Sequence, residues 1–196
     1  MIIIFYTSCK TTGYTAYVSN EIATYKIEKI DTLVDIGCGN GIHDKNITHQ
    51  YPNLFLILED LPVDWNKNDL QNLIPRFLRN SHYAPKIEQN YKFVPGYADS
   101  IPLPSLAYKA ILCRLTLHEF SNRSKMATEL VRIMSNDGIL IIVERKPKFE
   151  GERDSYCKNL YLSKNEIINT FKDLTLKEEA ELTFKTETMA ILKFSK

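Results

Sequence analysis

The segment that most constrains this sequence is Thr32–Gly41, in which glycines follow a short apolar run. Leu33, Val34 and Ile36 have the continuous apolar character of a strand that is buried on both faces of a parallel sheet. Residues 42–50 then have a pattern compatible with a helix. A strand, a glycine turn and a helix in this order form the unit that holds a nucleotide at the carboxyl end of a sheet.

The spacing of the glycines favours one class of nucleotide over another. A dinucleotide fingerprint, Gly-x-Gly-x-x-Gly, would need a glycine at position 42, where this chain has isoleucine. The chain has instead Asp-x-Gly-x-Gly-x-Gly, formed by Asp35, Gly37, Gly39 and Gly41. A carboxylate repels a pyrophosphate and attracts a cation. The pattern resembles motif I of the class I S-adenosylmethionine-dependent methyltransferases, whose cofactor has a sulfonium, an ammonium and no phosphate.

Composition favours a single packed domain and argues against several functions. The chain has 196 residues, of which 44% are hydrophobic, so we expect a sizeable core rather than disorder. The net charge is +1 and no block of like charge stands out, which argues against a nucleic-acid partner. No apolar run reaches the length of a membrane span. The four cysteines lack metal-type pairs, so no metal site is expected, and Cys38 and Cys113 are predicted to be reduced and partly buried.

Residues 1–14 leave two interpretations open. The first is an apolar strand or a flexible end. The second is the remnant of a bacterial lipoprotein signal and its linker, because Ser8-Cys9-Lys10 resembles the junction of such a signal. The apolar run is too short and lacks a basic start, so a working signal would need residues upstream of Met1. We predict a methyltransferase domain over residues 15–196 in the cytoplasm, with anchoring at a bacterial membrane through a lipidated Cys9 as the alternative.

Acids at two later strand ends are further candidates for binding the cofactor. Leu54–Leu58 is a continuous apolar run that ends in Glu59 and Asp60, and an acid there can accept both ribose hydroxyls of a nucleoside. Asp60 begins an Asp-Leu-Pro that resembles the one in small-molecule O-methyltransferases, so we prefer it to Glu59. The resemblance further implies that Asp99, in a Gly-x-x-Asp turn, binds the adenine amino group, with Ala98 beside it.

The exit from the fourth strand provides the candidate for catalysis. Residues 117–122 resemble the His-Asp-Trp-Ser-Asp stretch of small-molecule O-methyltransferases, in which the histidine deprotonates the acceptor hydroxyl. A histidine can take up that proton because its reference pKa is about 6.5. We therefore predict that His118 lies at the mouth of the pocket and is the base if one is needed. The alternative is that its ring only helps to start the next helix. The same resemblance adds Cys38 and Arg114 to the cofactor-binding residues.

The rest of the chain alternates between helix and strand patterns. The expected helices cover residues 17–30, 42–50, 70–80, 123–134 and 165–173, with Ser121 and Ser163 as N-caps of the last two. The expected late strands follow a turn at residues 135–138 and occupy residues 174–182 and 187–194, and residues 148–162 are a candidate lid. These elements predict an α/β fold with a mostly parallel sheet. The resemblance implies a Rossmann-like, doubly wound sheet of seven strands with an antiparallel terminal hairpin.

The predicted function is transfer of a methyl group from S-adenosylmethionine to a small-molecule acceptor, at oxygen. The chain lacks the Asn/Asp-Pro-Pro-Tyr signature of amino-methyltransferases, which weakens a DNA or protein acceptor. No membrane partner is expected unless Cys9 is lipidated. Two alternatives remain: a non-catalytic binding protein on a methyltransferase-like scaffold, and a nicotinamide-dependent oxidoreductase, against which the missing glycine at position 42 argues.

Overall fold

Strands and helices alternate along the chain in the computed structural model, which describes residues 4–39, 41–61 and 90–196. The helices are α1 (Ile4–Thr24), α2 (Ile42–Gln50), a short 3₁₀ helix (Leu117–Glu119), α3 (Arg123–Ile133) and α4 (Lys164–Thr170). The strands are β1 (Thr32–Ile36), β2 (Phe55–Asp60), β3 (Tyr91–Pro95), β4 (Tyr108–Arg114), β5 (Met134–Arg145), β6 (Thr175–Phe184) and β7 (Glu187–Ser195). The predicted helix over residues 70–80 lies outside the described residues.

The seven strands form one sheet in the order β3-β2-β1-β4-β5-β7-β6. Strands β1 to β5 run parallel to one another, and Val34 of β1 pairs with Ile57 of β2 on one side and Ile111 of β4 on the other. β7 runs antiparallel to both β5 and β6. The predicted α/β class, the mostly parallel seven-stranded sheet and its antiparallel terminal hairpin are therefore confirmed.

Successive side chains of the buried strands enter two separate cores, one on each face of the sheet. In β1, Leu33 belongs to one core and Val34 to the other. Ile22 of α1 and Ile47 of α2 pack into the first core, while Leu130 of α3 packs into the second. Full burial of such a side chain contributes about 1.5–3 kcal/mol. Because both faces are covered, the sheet is doubly wound and its central strands are apolar throughout.

The amino-terminal segment is helical, so the expectation of an apolar strand there is wrong. α1 begins at Ile4 and continues through the domain boundary expected between residues 14 and 15. Val18, Ile22 and Tyr25 follow one another at helical spacing and are all buried in the first core. This burial, rather than local propensity, stabilises the helix. The division of the chain at residue 15 and the lipidation of Cys9 stay predictions.

α1 also ends at Thr24, earlier than the predicted end at residue 30. The amide of Tyr25 donates to the carbonyl of Ile22 at 3.0 Å, and the amide of Lys26 donates to that of Ala23 at 3.4 Å. These bonds span three residues and tighten the last turn. Lys26 then has a φ of 54°, in the left-handed region that terminates many helices. The chain therefore turns towards β1 directly after this residue.

The segment around α3 differs from the prediction in two details. The N-cap is Asn122, whose side chain accepts from the amide of Lys125 at 3.1 Å, and not Ser121. β5 begins already at Met134, the last residue of the predicted helix, and includes residues 135–138, where a turn was expected. Tyr108 pairs with Met134 and Ala110 with Ile139, so residues 135–138 bulge opposite a single residue of β4. The turn residues thus form an irregularity within the strand instead of preceding it.

The carboxyl-terminal elements follow the prediction closely. Ser163 is the N-cap of α4, and it forms a capping box with Glu166. The two last strands pair antiparallel through the turn between Phe184 and Glu187. Tyr17 of α1 packs against Phe184 with ring centroids 5.3 Å apart, which connects the terminal hairpin to the first helix.

The position of the site follows from the order of the strands. β1 and β4 are neighbours, and the chain winds outward from them in opposite directions along the sheet. Ligands of open α/β sheets bind at this switch point, outside the carboxyl ends of the strands. The loops after β1 and β4 touch there: the hydroxyl of Thr116 donates to the carbonyl of Ile36 at 3.3 Å.

Candidate functional site

The turn after β1 depends on its glycines. Gly37, Gly39 and Gly41 have φ values of 73°, 57° and 70°, which residues with a side chain rarely adopt. A Cβ at Gly37 would also lie 2.7 Å from the methyl group of Thr116, so this glycine lets the loop after β4 approach. A Cβ at Gly39 would meet nothing within 4 Å. Gly39 therefore faces open space, where a ligand can approach the backbone.

Asp60, at the end of β2, holds this turn in place. One carboxylate oxygen accepts from the amide of Gly39 at 2.6 Å, and the other accepts from the amide of Leu61 at 2.7 Å. The carbonyl of Glu59 accepts from the amide of Gly37 at 2.8 Å. Each oxygen of the Asp60 carboxylate has a second acceptor position, so this group can still accept hydroxyl donors from a ligand.

A pair of buried carboxyl groups lies behind the turn. Asp35 of β1 is 2% exposed and Asp44 of α2 is fully buried. Burial, and after it the charge of Asp44, raises the pKa of Asp35 well above its usual value. Burial raises the pKa of Asp44 to about 6. The two carboxyl groups therefore titrate as a coupled pair, and burial disfavours the ionised form of both.

Glu59 adds a third perturbed acid at this edge of the sheet. Its side chain is 2% exposed, and burial followed by the charge of Asp60 raises its pKa to about 7. The concentration of acids gives the carboxyl end of β1 and β2 a negative potential. Such a potential suits a cationic ligand and opposes a phosphate.

One cavity joins the predicted cofactor residues to the exit of β4. Its volume is about 320 Å³, within the usual range of ligand sites. It is lined by Gly37, Asp60, Leu61, Tyr97, Ala98, Asp99, Thr116, Glu119, Phe120, Ser121, Asn122 and Met126. A larger cavity of about 510 Å³ lies between α3 and α4, and it contains none of the predicted site residues. We therefore regard the smaller cavity as the candidate site.

The cavity brings together only part of the predicted set. Gly37, Asp60, Ala98 and Asp99 line it, and Asp99 lies 3.6 Å from the ammonium of Lys125. The other predicted residues do not line it: Asp35, Cys38, Gly39, Gly41, Arg114 and His118. Cys38 is partly buried and free, and burial followed by the charge of Asp44 raises the pKa of its thiol well above the usual value.

Arg114, predicted to bind the cofactor, is instead engaged with α1. Its guanidinium donates to both carboxylate oxygens of Glu21, at 2.6 and 3.2 Å. Glu21 is fully buried and also accepts from the hydroxyl of Tyr25 at 2.7 Å. Burial raises the pKa of Glu21, but the hydrogen bond and charge of Arg114 outweigh this and hold it below the usual value. Arg114 thus stabilises the contact between β4 and α1 in this structure, and its role in binding stays a prediction.

His118 does not lie at the mouth of the cavity. It is 5% exposed, and its neighbour Glu119 is the residue that forms part of the cavity wall. Nδ1 of His118 lies 2.8 Å from Oε2 of Glu144, a fully buried acid near the end of β5. Because a carboxylate only accepts, Nδ1 carries the hydrogen. Burial lowers the pKa of His118, but the hydrogen bond and charge of Glu144 outweigh it, and the net pKa is raised.

The loop between β5 and α4 packs against this histidine. The ring of Tyr161 contacts that of His118 edge-on, with centroids 5.5 Å apart. Its hydroxyl donates to Asp154 at 2.7 Å and accepts from Arg145 at 2.9 Å. Burial, and then the hydrogen bond to Asp154, raises the pKa of Tyr161 to about 12, so this tyrosine keeps its proton. The segment that was expected to be a lid therefore packs against His118 through Tyr161, a residue that the sequence analysis did not identify.

Glu144 is the most important residue that the sequence reading missed. An acid at the end of a buried apolar run was the signal that identified Asp60, and the same signal is present after Val143. By contrast, Asp154 and Tyr161 lie in a polar loop, where nothing in the local pattern marks them.

Comparison with protein families decides the class. The family model described as "Methyltransferase domain" matches residues 34–142, more than half of the chain. This chain belongs to the methyltransferase domain family. The expected membership in the class I S-adenosylmethionine-dependent methyltransferases is thereby confirmed. The match begins in β1 and ends in β5, so it includes the glycine turn, Asp60, Asp99 and His118.

Similar proteins extend this comparison. YcgJ of Bacillus subtilis, an uncharacterised methyltransferase, is 27% identical over 128 residues, which are 65% of this chain and 46% of that protein. The ubiquinone/menaquinone biosynthesis C-methyltransferase UbiE of Campylobacter jejuni is 26% identical over 121 residues, 54% of this chain and 52% of that protein. The chain therefore spans about half the length of these curated relatives.

A solved structure shows how widely the fold is shared. The [4+2]-cyclase SpnF superposes with a TM-score of 0.72 at 14% identity, over 90% of this chain and 79% of that chain. This likeness concerns the fold alone. Among the described helices, none combines the length and the apolarity that a membrane crossing requires.

The residues present fit the cofactor that the family implies. Gly39 leaves an open approach to the backbone, Asp60 retains acceptor positions, and the surrounding acids suit a cation. Asp99 also lines the cavity and offers a second carboxylate.

Proposed function

We propose that this protein transfers a methyl group from S-adenosylmethionine to a small-molecule acceptor, with oxygen as the accepting atom. One observation carries the proposal: a single cavity is lined both by Asp60 and Asp99 and by Glu119 and Phe120. The first pair belongs to the predicted cofactor site, and the second lies at the exit of β4, where we expect the acceptor. The two reactants can therefore meet in one cavity.

On the cofactor side, the chain's own groups bind and orient. Asp60 would accept the ribose hydroxyls, Asp99 the adenine amino group, and the turn around Gly39 would lie against the methionine part. When bound, S-adenosylmethionine supplies a methyl group on a sulfonium, which is a good leaving group. The main task of these residues is alignment, since the reacting atoms must approach within about 3–3.5 Å.

On the acceptor side, His118 would remove the proton of an acceptor hydroxyl. Glu144 fixes the ring through Nδ1, so Nε2 is the nitrogen with a free lone pair. Glu144 also stabilises the imidazolium that forms, as its effect on the pKa of His118 indicates. A hydroxyl has a proton to lose, which is why this pair favours oxygen. UbiE is named as a C-methyltransferase, so methylation at carbon is the competing outcome.

The cofactor half of the proposal is tested by calorimetry with S-adenosylhomocysteine. Asp60→Ala should weaken binding by about 1.5–3 kcal/mol, as expected for hydrogen bonds to a charged group. Gly39→Val should abolish binding, because it places a side chain in the open approach and in a left-handed conformation. Asp31→Ala, at an exposed acid before β1, is the control and should bind as the wild type does. Unchanged affinity in the first two variants would refute the assignment.

A second candidate is a binding protein, or an enzyme of another class, on the same scaffold. SpnF, a cyclase with this fold, illustrates that the fold does not fix the reaction. Incubation with S-adenosylmethionine and a library of small phenols and acids separates the candidates. Methylated product supports the transferase, and binding of S-adenosylhomocysteine without product from any acceptor supports the alternative.

We also propose a cytoplasmic location, with anchoring through a lipidated Cys9 as the alternative. Among the described residues Cys38, Cys113 and Cys157 are free thiols, as expected for a reducing compartment. Reading the genomic frame upstream of Met1 is the test. A basic pair followed by about 7–15 apolar residues there would favour the anchored form.

A further inference from the structure

Three potential metal ligands meet beside the wall of the candidate cavity. A ring nitrogen of His118, a carboxylate oxygen of Glu119 and Sγ of Cys157 all lie within 4.8 Å of one another. Nε2 of His118 is 4.0 Å from Oε1 of Glu119. The first two residues belong to the 3₁₀ helix after β4, and Cys157 comes from the loop that follows β5. We call these three residues the His–Glu–Cys cluster.

An unpartnered nitrogen faces this cluster. Nε2 of His118 is buried and has no hydrogen-bond partner among the described residues, and the side chain is only 3% exposed. A buried polar atom left in this state is unfavourable, and a ligand on it would remove that cost. The other ring nitrogen is held by Glu144 at 2.8 Å. Histidines that bind metals have this arrangement, because a carboxylate on one nitrogen fixes the ring and makes the other a better ligand.

The cysteine is held in position by its own loop. Oδ1 of Asp154 accepts from the amide of Cys157 at 3.0 Å and from that of Tyr156 at 2.6 Å. Oδ2 accepts from the hydroxyl of Tyr161, whose ring packs against His118. The thiol is thus connected to the histidine by a chain of contacts. The carboxylates of Glu144 and Asp154 add negative charge around the cluster, which favours a cation.

We propose that His118, Glu119 and Cys157 bind a zinc ion, with a fourth position left for water or another small ligand. Zinc bonds of about 2.0–2.3 Å place tetrahedral ligands about 3.3–3.8 Å apart, so each pair of ligand atoms needs to contract by at most about 1.5 Å. The side chain of Glu119 is 52% exposed and can make this movement. Imidazole and thiolate select zinc over magnesium or calcium. Cys157 binds as the thiolate and its proton passes to solvent.

The proposal goes beyond methyl transfer and does not depend on it. The spacing of the three ligands did not predict a metal site, because they do not form a closely spaced Cys or His motif. A zinc ion on Nε2 occupies the lone pair that the base role of His118 needs. One molecule therefore has either a zinc ligand or a free base at this nitrogen, and metal content distinguishes the two states.

Titration of the metal-free protein with Zn²⁺ alone tests the site. Calorimetry should give about one zinc per chain in the wild type, and Cys157→Ser and Glu119→Gln should each weaken binding at least 10-fold. Cys38→Ser and Glu150→Gln are the matched thiol and acid controls and should retain zinc affinity. Thermal melts of every variant show whether it is folded, and Glu119→Gln, at a half-exposed side chain, leaves the core intact.

Substitution with Co²⁺ reports on the ligands directly. A thiolate ligand gives a charge-transfer band in the near ultraviolet, which should be present in the wild type and in Cys38→Ser and absent in Cys157→Ser. Failure of the wild type to bind zinc stoichiometrically, or a band that disappears in Cys38→Ser and persists in Cys157→Ser, would overturn the proposal. Binding of S-adenosylhomocysteine, measured in the same samples, tests the proposed function independently.

Discussion

The two sides of the candidate cavity are built in different ways. The cofactor side depends on backbone geometry: three glycines lie in the left-handed region, and the carboxylate of Asp60 accepts from the amide of Gly39. The acceptor side depends on side chains that meet from distant segments, as His118 meets Glu144 and Cys157. Backbone geometry is specified by residue type at short spacing, whereas side-chain encounters are specified only by the complete fold. Backbone geometry can therefore be predicted from a sequence, whereas side-chain encounters between distant segments cannot.

The largest expected effect lies on the acceptor side. With a hydroxyl acceptor, His118→Gln should reduce turnover by about 10²–10⁴-fold, because the base that removes the proton is lost. Affinity for S-adenosylhomocysteine should not change, since His118 does not line the cavity. Steady-state kinetics and calorimetry measure the two quantities. The assay uses protein stripped of metal, so that zinc does not compete for the ring.

A matched variant sharpens this prediction. Glu144→Gln keeps the shape of the partner but removes the charge that raises the pKa of His118. The acid limb of the pH–rate profile, which reports the histidine, should therefore move to lower pH. Wild-type turnover in both variants would leave alignment alone as the mechanism and would remove the functional difference between the two sides.

The next effect separates two glycines of the same turn. Gly37→Ala adds a left-handed alanine and a contact of 2.7 Å with Thr116, so the protein should lose about 2–5 kcal/mol of unfolding free energy. Gly39→Ala should lose only the cost of a left-handed alanine, about 1–2 kcal/mol of unfolding free energy, because its Cβ would meet no other atom. Denaturant unfolding measures both. Equal losses would mean that the approach of the loop after β4 does not constrain Gly37.

The glycines and strand ends were predictable because each obeys a local rule. The same reasoning failed where a distant contact decides. Residues 4–14 are helical because they belong to α1, whose later residues are buried in the core. Arg114 does not line the cavity because its guanidinium donates to Glu21, a buried residue of the same helix. The sequence also identified His118 as a candidate, but it did not predict that the side chain is buried. That burial results from contacts with Tyr161 and Glu144, which lie far from His118 in the sequence. The sequence thus predicted the candidate residues of the site better than their contacts with one another.

A pH-dependent effect tests the electrostatics of the cofactor side. Glu59 has a folded-state pKa of about 7 and an ordinary value near 4.5. Because the folded pKa is the higher one, its stabilising contribution is present below pH 4.5 and is lost as the pH rises to about 7. This loss is on the order of 3 kcal/mol. Glu59→Gln should remove it, so that the variant gains stability relative to the wild type between these pH values.

Denaturant unfolding across this pH range gives the difference curve between the two proteins. Comparison with the wild type is necessary because Asp35 and Asp44 also titrate abnormally. Glu150→Gln, at an exposed acid, should show a flat difference curve. A flat curve for Glu59→Gln as well would mean that water or a relaxed side chain already solvates this carboxyl.

The smallest effect concerns the start of α3, where two neighbouring residues of the cavity wall compete for one role. The sequence pattern favours Ser121 as the N-cap, but in the structure the side chain of Asn122 accepts from the amide of Lys125. Asn122→Ala should therefore cost about 1 kcal/mol of unfolding free energy, the usual contribution of an N-cap. Ser121→Ala, at an exposed position that does not cap the helix, should stay within about 0.5 kcal/mol of the wild type. Chemical denaturation resolves this difference. If the two losses were reversed, the helix would begin one residue earlier, and the acceptor side would follow local sequence rules as the cofactor side does.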